Sequence, residues 1–263
     1  MKKLLCLFIC LISTITFSHI EKNIEVYSKS MKKKIPVTVV LPDKYNQNEK
    51  YSIIYALHGW SGSNRSYVEK INIGKLADQY NVMYVFPDGG YDSWYIDSKI
   101  AKNSKYETFI GKELVKYIDE NYSTYNNYKQ RAITGLSMGG FGAFYISINN
   151  PKTFGAIGSM SGGFDVERFK LNWGIQKYIG NDFENYNIKN LATKLIFSGS
   201  KIIFDCGISD FFIETNRELH NELIKLNIAH DYIERDGTHS WVYWTNSIKY
   251  QTLFFVNNFE SNK

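Results

Sequence analysis

The run Arg131-Ala132-Ile133-Thr134-Gly135-Leu136-Ser137-Met138-Gly139-Gly140 decides how this chain is read. Arg131 to Thr134 form a short strand pattern, Gly140 to Ile148 form a helical one, and a serine stands at the turn between them. A turn this sharp forces strained backbone onto Ser137, and side chains two places to either side would collide with it. Gly135 and Gly139 remove those side chains. The hydroxyl is thereby held in the open at a helix N-terminus, where free N–H groups and the positive end of the helix dipole face any developing negative charge.

Outward from this turn, short β-branched and aromatic runs alternate with helical segments. Ile24 to Tyr27 and Val37 to Leu41 read as a leading pair of strands with Pro36 and Pro42 at their ends. Ile53 to Leu57, Val82 to Phe86, Ala156 to Met160, Ile202 to Asp205 and His230 to Glu234 supply further strands. Helical patterns fill most gaps, at Ile73 to Gln79, Phe109 to Glu120, Phe212 to Leu226 and Trp241 to Phe259. Strand and helix in alternation imply right-handed crossovers, so the class is α/β, with a mostly parallel sheet covered on both faces. In such sheets reactive groups gather on loops leaving the carboxyl ends of strands.

A serine hydroxyl is a poor nucleophile until a base takes its proton. Of five histidines, His239 lies in Gly237-Thr238-His239-Ser240-Trp241, between the last strand and the last helix, where a hydrolase of this layout carries its base. His19, His220 and His230 sit at a border, in a helix and at a strand start, and read as surface or packing residues. The base needs an acid, and Cys206-Gly207-Ile208-Ser209-Asp210-Phe211 offers Asp210 on the loop, with Asp205 still inside the preceding strand. Asp210 is preferred because it lies past the carboxyl end and can reach a neighbouring loop. The order Ser137, Asp210, His239 is that of α/β-hydrolases. Leu57-His58-Gly59-Trp60-Ser61-Gly62 follows a strand, and its turn would aim the N–H of Trp60 at the same point as the N–H of Met138, giving two oxyanion donors. His58 then reads as a brace for that turn.

These segments resemble the esterase D-like esterases of the α/β-hydrolase fold, whose relatives include S-formylglutathione hydrolases, feruloyl and acetyl-xylan esterases, mycolyltransferases and tributyrin esterases. The His58-Gly59-Trp60-Ser61-Gly62 turn is most similar to the bacterial tributyrin branch. Asp92-Ser93-Trp94-Tyr95 and Lys112-Glu113-Leu114 are similar as well. The resemblance implies Ser137 as nucleophile, His239 as base, Asp210 as acid, the N–H groups of Trp60 and Met138 as oxyanion donors, and no metal or organic cofactor. It implies a serine carboxylesterase acting on short-chain acyl esters, with a small molecule or an acylated glycan as substrate. An acyltransferase, a formylglutathione-type thioesterase, a serine peptidase and a non-enzymatic binding module are the competing readings. Trp94 and Trp241 are expected to contact substrate, with Trp60, Tyr95, Tyr243 and Trp244 on or near the same loops, and residues 164–191 are long enough for a small cap.

Composition sets the outer limits. The 263 residues are 44% hydrophobic and 22% charged, enough for one large core and incompatible with a disordered or fibrous chain. No internal repeat appears, and one domain is expected from 19 to 263. Lys2 and Lys3 precede an apolar stretch from Leu4 to Phe17, with Thr16 and Ser18 as small residues near a cleavage point. Residues 1–18 thus read as a secretory signal peptide, with a retained anchor as the alternative, and the enzyme is expected to be secreted or periplasmic and free of membrane after cleavage. The formal charge is +5, and without Lys2 and Lys3 the 29 remaining basic residues against 26 acidic ones leave +3. That excess is too small and too dispersed for nucleic acid, and Lys32 to Lys34 reads as a solvated turn. Cys6 and Cys10 leave with the signal, so Cys206 has no partner for a disulfide. Oligomeric state is left open.

Overall fold

The computed structural model describes residues 19–262. The expected signal segment, 1–18, lies outside them. Eight strands form one sheet: β1 (Ile20–Ser28), β2 (Lys33–Leu41), β3 (Ile53–Leu57), β4 (Met83–Pro87), β5 (Arg131–Gly135), β6 (Ala156–Met160), β7 (Lys201–Gly207) and β8 (Asp231–Arg235). Their order across the sheet is β1-β2-β4-β3-β5-β6-β7-β8. β2 runs antiparallel to both β1 and β4, and the remaining pairs are parallel. Every residue of β3, β4, β5 and β6 is buried. Their largely apolar sequence suits strands covered on both faces, and in β5 Arg131 is paired with Asp119 and Thr134 with Gln251. At the edge, β1 exposes Glu21, Lys22 and Glu25, charges that blunt pairing with another chain. Lys32 sits in the turn with φ of 53°, but Lys33 and Lys34 already belong to β2, so the basic run is only partly a turn. The hydrogen-bonding ladder of the hairpin extends through them, pairing Ser28 with Lys33.

Among the described residues the longer helices that cover the faces are α1 (Ile73–Tyr80), α2 (Val115–Asn121), α3 (Met138–Asn149), α4 (Ile213–Lys225) and α5 (Trp241–Glu260). Phe144 of α3, Ile118 of α2 and Leu219 of α4 belong to one apolar cluster. Leu76 of α1 and Ile248 and Phe255 of α5 belong to the other. α3 is apolar all round and buried from Met138 to Ile148, as a helix pressed between sheet and outer layers must be. The segment from Phe109 to Glu120 is not one α-helix. Phe109–Leu114 forms a wider π-helical turn before α2, and Glu113 on it accepts from Ser28 Oγ at 2.7 Å and Ser30 N at 2.8 Å, tying the β1–β2 turn down. Among the described residues no helix is long and apolar enough to cross a membrane.

The register brings the site together. Leu57 pairs with Gly135, Met160 with Asp205, and Gly207 with Arg235, so the loops after β3, β5, β7 and β8 leave the sheet at one end. β3 and β5 are neighbours, while β4, which lies between them in sequence, sits on the far side of β3. The strand order therefore reverses beside Ser137, which is where open α/β sheets leave a crevice.

Candidate active site

Ser137 caps α3 with φ of 56° and ψ of −119°, backbone that costs a non-glycine residue on the order of 1–3 kcal/mol. Its neighbours hold it there. Leu136 N–H donates to Leu57 O at 3.1 Å, and Ser137 N–H donates to Met160 O at 2.9 Å, so the turn is stitched to strands on both sides. A Cβ on Gly135 would lie 2.3 Å from the carbonyl of Gly139, and one on Gly139 would lie 2.2 Å from Leu57 O. Both glycines are required by backbone contact.

His239 Nε2 stands 2.9 Å from Ser137 Oγ, and its Nδ1 stands 2.8 Å and 3.0 Å from the two carboxylate oxygens of Asp210. With Nδ1–H donating to the carboxylate, Nε2 is left to accept from the serine hydroxyl. The imidazole is clasped by aromatic rings: Phe211 lies 4.3 Å from it between centroids, and Trp244 lies 4.8 Å away, nearly perpendicular. Asp210 is buried, and its carboxylate also accepts from Phe212 N–H at 2.9 Å. The loops carrying Asp210 and His239 are joined by backbone, with Ser209 N–H donating to Gly237 O at 3.0 Å. Ser240 begins α5 by accepting from Tyr243 N–H.

Asp205 is occupied elsewhere. It is fully buried below the site and accepts from Ser247 Oγ at 2.5 Å and 2.6 Å and from Gln251 Nε2 at 2.8 Å, with Arg235 Nη2 at 3.5 Å. Burial pushes its carboxyl above the usual carboxylate range, against the pull of these donors. Gln251 also donates to Ser159 O and accepts from Thr134 Oγ1, so it crosslinks β5, β6 and β7 to α5.

The turn after β3 lies against the serine. A Cβ on Gly59 would be 3.4 Å from Ser137 Cβ. His58 is buried and fixed in one tautomer: Nε2 accepts from Gly89 N–H at 2.8 Å, and Nδ1–H donates to Gly59 O at 2.7 Å. Burial holds it below the ordinary histidine range, hence neutral. Tyr95 OH donates to His58 O at 2.9 Å from beneath. Ser61 N–H and Gly62 N–H are taken by Tyr91 O and Gly59 O, whereas among the described residues the N–H groups of Trp60 and Met138 meet no acceptor.

An open cavity of about 350 Å³ faces Ser137 and His239. Gly59, Trp60, Ser61 and Leu136 line one side, and Trp173, Phe211, Trp241 and Trp244 line another. Trp241, read from the sequence as a substrate contact, lines this cavity. Trp94 does not: it is 1% exposed, with its ring edge-on to Phe141 and its Nε1–H donating 2.9 Å to Trp173 O. Its loop turns the indole inward under the wall. Tyr95 and Tyr243 are likewise buried, while Trp244 both packs in the core and faces the cavity. Phe211 and Trp173 were not singled out from the sequence. Phe211 adjoins the candidate acid, which was the available signal, and Trp173 sits midway along the 164–191 segment.

A family model described as "Esterase: Putative esterase" matches residues 28–255. The chain is 30% identical over 255 residues to the acetyl esterase of Caldicellulosiruptor saccharolyticus, covering 86% of this chain and 94% of that protein. The substrate-bound fluorophosphonate-binding serine hydrolase F of Staphylococcus aureus shares the fold, with a TM-score of 0.82 at 20% identity over 90% of this chain and 98% of the other. A ferulic acid esterase superposes with a TM-score of 0.78 at 25% identity over 92% and 99%. The chain belongs to this esterase family, with the α/β-hydrolase fold, and is an enzyme acting on carboxylic ester bonds.

Proposed function

We propose that the protein is a serine carboxylesterase for short-chain acyl esters, with Ser137, His239 and Asp210 as its triad and the N–H groups of Trp60 and Met138 as its oxyanion donors. The observation that carries this reading is the unbroken chain of hydrogen bonds from Ser137 Oγ through both ring nitrogens of His239 to Asp210. Ser137 Oγ attacks the ester carbonyl carbon as its proton passes to His239 Nε2. The carbonyl oxygen takes up negative charge at the N-terminus of α3, between the two free N–H groups. Collapse of the tetrahedral species breaks the bond to the alcohol oxygen, which takes the proton back from Nε2, leaving an acyl group on Ser137. Water then attacks with the same base, and the acid departs. Asp210 holds the imidazole in the productive tautomer and offsets its transient positive charge.

The similarity to a protein named acetyl esterase favours a small acyl group, and the aromatic lining suits either an apolar alcohol or the face of a sugar, which makes acylated glycans reasonable substrates. Action outside the cytoplasm rests on the reading of residues 1–18 as an export signal. The test is turnover of 4-nitrophenyl acetate by purified chain and by Ser137→Ala. The variant is expected to retain only the roughly 10³–10⁴-fold acceleration over water that binding and oxyanion contacts supply. Turnover equal to that of the unsubstituted chain, in a sample free of other esterases, would remove Ser137 from the role. Product analysis with an added sugar acceptor separates hydrolysis from acyl transfer.

A further inference from the structure

We propose that Trp173 is a specificity-determining residue of this site, delivered to the cavity by residues 164–191 acting as a cap, and that Asp92 and Trp94 are the positioning residues that pin it there. The inference rests on the esterase reading above and goes beyond it by assigning work to the Asp92-Ser93-Trp94-Tyr95 motif, which touches none of the triad.

The 164–191 segment lies between β6 and β7, and only part of it is helical. Arg168 and Lys189 tie it to Glu218, and a second set of contacts joins it to the loop after β4. Trp94 Nε1–H donates to Trp173 O at 2.9 Å. Asp92 accepts from Tyr178 OH at 2.7 Å and pairs with Lys177 Nζ at 2.5 Å, while Ser98 Oγ donates to Tyr178 O at 2.7 Å. The packing leaves no slack: a Cβ on Gly174 would lie 2.4 Å from Asp92 Oδ2. Both sides of the clamp are held in left-handed backbone, with φ of 52° at Trp94, 58° at Tyr95 and 53° at Trp173. Bulky residues adopt such angles only where surrounding contacts over-determine them, and they gather at functional sites.

The clamp presents the indole of Trp173 to the cavity. Its ring stacks on Phe211 at 5.6 Å and 18°, and Phe211 lies 4.3 Å from the ring of His239. Trp173 and Phe211 thus form a flat shelf one ring away from the base. Phe211 is 53% exposed, so the shelf is open to an incoming group. A two-carbon acyl group at Ser137 needs little of this surface, whereas an acyl group carrying a ring is positioned to lie on it. Loss of the shelf removes both an aromatic contact and the apolar area that it buries, and is expected to cost about tenfold for esters with a ring-bearing acyl group.

The experiment compares Trp173→Ala, Trp94→Phe, Tyr178→Phe and the double variant Trp94→Phe/Trp173→Ala on 4-nitrophenyl acetate and 4-nitrophenyl 3-phenylpropanoate. Trp173→Ala is expected to lower kcat/KM for the phenylpropanoate, through KM, about tenfold more than it lowers kcat/KM for the acetate. Trp94→Phe keeps a ring but removes the N–H, and Tyr178→Phe removes only the hydroxyl that Asp92 accepts. Each is expected to give part of the same selectivity loss, and the double variant is expected to lose no more than Trp173→Ala alone, because the clamp acts through that one side chain. Unchanged selectivity in Trp173→Ala, equal losses on both esters in every variant, or additive losses in the double variant would each overturn the proposal. An unsubstituted chain that hydrolyses neither ester would fail the triad reading itself, a result distinct from any of these.

Discussion

Gly139 leaves room for only a hydrogen between α3 and the carbonyl oxygen of Leu57, because a Cβ there would stand 2.2 Å from that oxygen. This contact sets how close the nucleophile turn can sit to the end of β3, and so to the Gly59–Trp60 turn beside it. Gly139→Ala must push backbone against backbone, and overpacking of this kind costs about 1–3 kcal/mol. The expected result is a fall in Tm of roughly 2–12 °C for a chain of this size, with loss of most ester hydrolysis. Calorimetry and an ester assay on the same sample check it, and an unchanged Tm would mean the turn is looser than described.

Asp205 and Asp210 were both available as the acid, and the two can be separated by function. Asp210→Asn leaves the geometry nearly intact but favours the wrong tautomer of His239, and kcat is expected to drop about 10⁴-fold. Asp205→Asn sits in the Ser247 and Gln251 network and is expected to keep turnover within a few-fold. Steady-state kinetics on 4-nitrophenyl acetate decide between them; the reverse pattern would transfer the role to Asp205.

Asp205 has its own signature in stability. Its folded carboxyl is held above the ordinary 3.8 by burial, so the native state binds its proton more tightly than the unfolded chain does. Its contribution is therefore complete below the ordinary value and is lost as pH rises from there through the raised folded one. Denaturant midpoints measured across the acid range should show the unsubstituted chain losing stability relative to Asp205→Asn as pH rises through this window. A difference between the two that changes in the opposite direction would contradict it.

His58 carries the opposite sign. Burial lowers its folded value below the ordinary 6.5, so its neutral form is favoured on folding, and stability from this residue is complete above 6.5 and lost as pH falls below it. His58→Ala frees Gly89 N–H and Gly59 O and unfastens the turn that carries Trp60. If that turn supplies one oxyanion donor, kcat should fall about 10²–10³-fold with KM for a short ester little changed. A KM-only effect would place the turn in ground-state binding instead.

Much of this was legible in the sequence because the buried strands are short, largely apolar runs. β3 and β6 begin and end where expected, and the other strands differ by a residue or a few at their ends, where ladder hydrogen bonds continue past the last apolar side chain. The serine turn was legible because backbone collision at Gly135 and Gly139 is a local matter. The strand order was not, since the placement of β4 outside β3 depends on which faces the crossover helices cover. The aromatic residues were the least legible. Trp94 and Trp173 are both loop tryptophans, and only the third dimension shows that the first is folded under the second. The widened turn at Phe109–Leu114 was hidden as well, because one extra residue in a helical turn leaves the apolar period almost unaltered.

The most direct measurement of the central claim is covalent labelling of the chain with a fluorophosphonate, followed by mass spectrometry of its peptides. One adduct per chain is expected, on Ser137, absent in Ser137→Ala and strongly slowed in His239→Ala. An unlabelled Ser137 in a preparation that hydrolyses esters, or an adduct on a different serine, would contradict it.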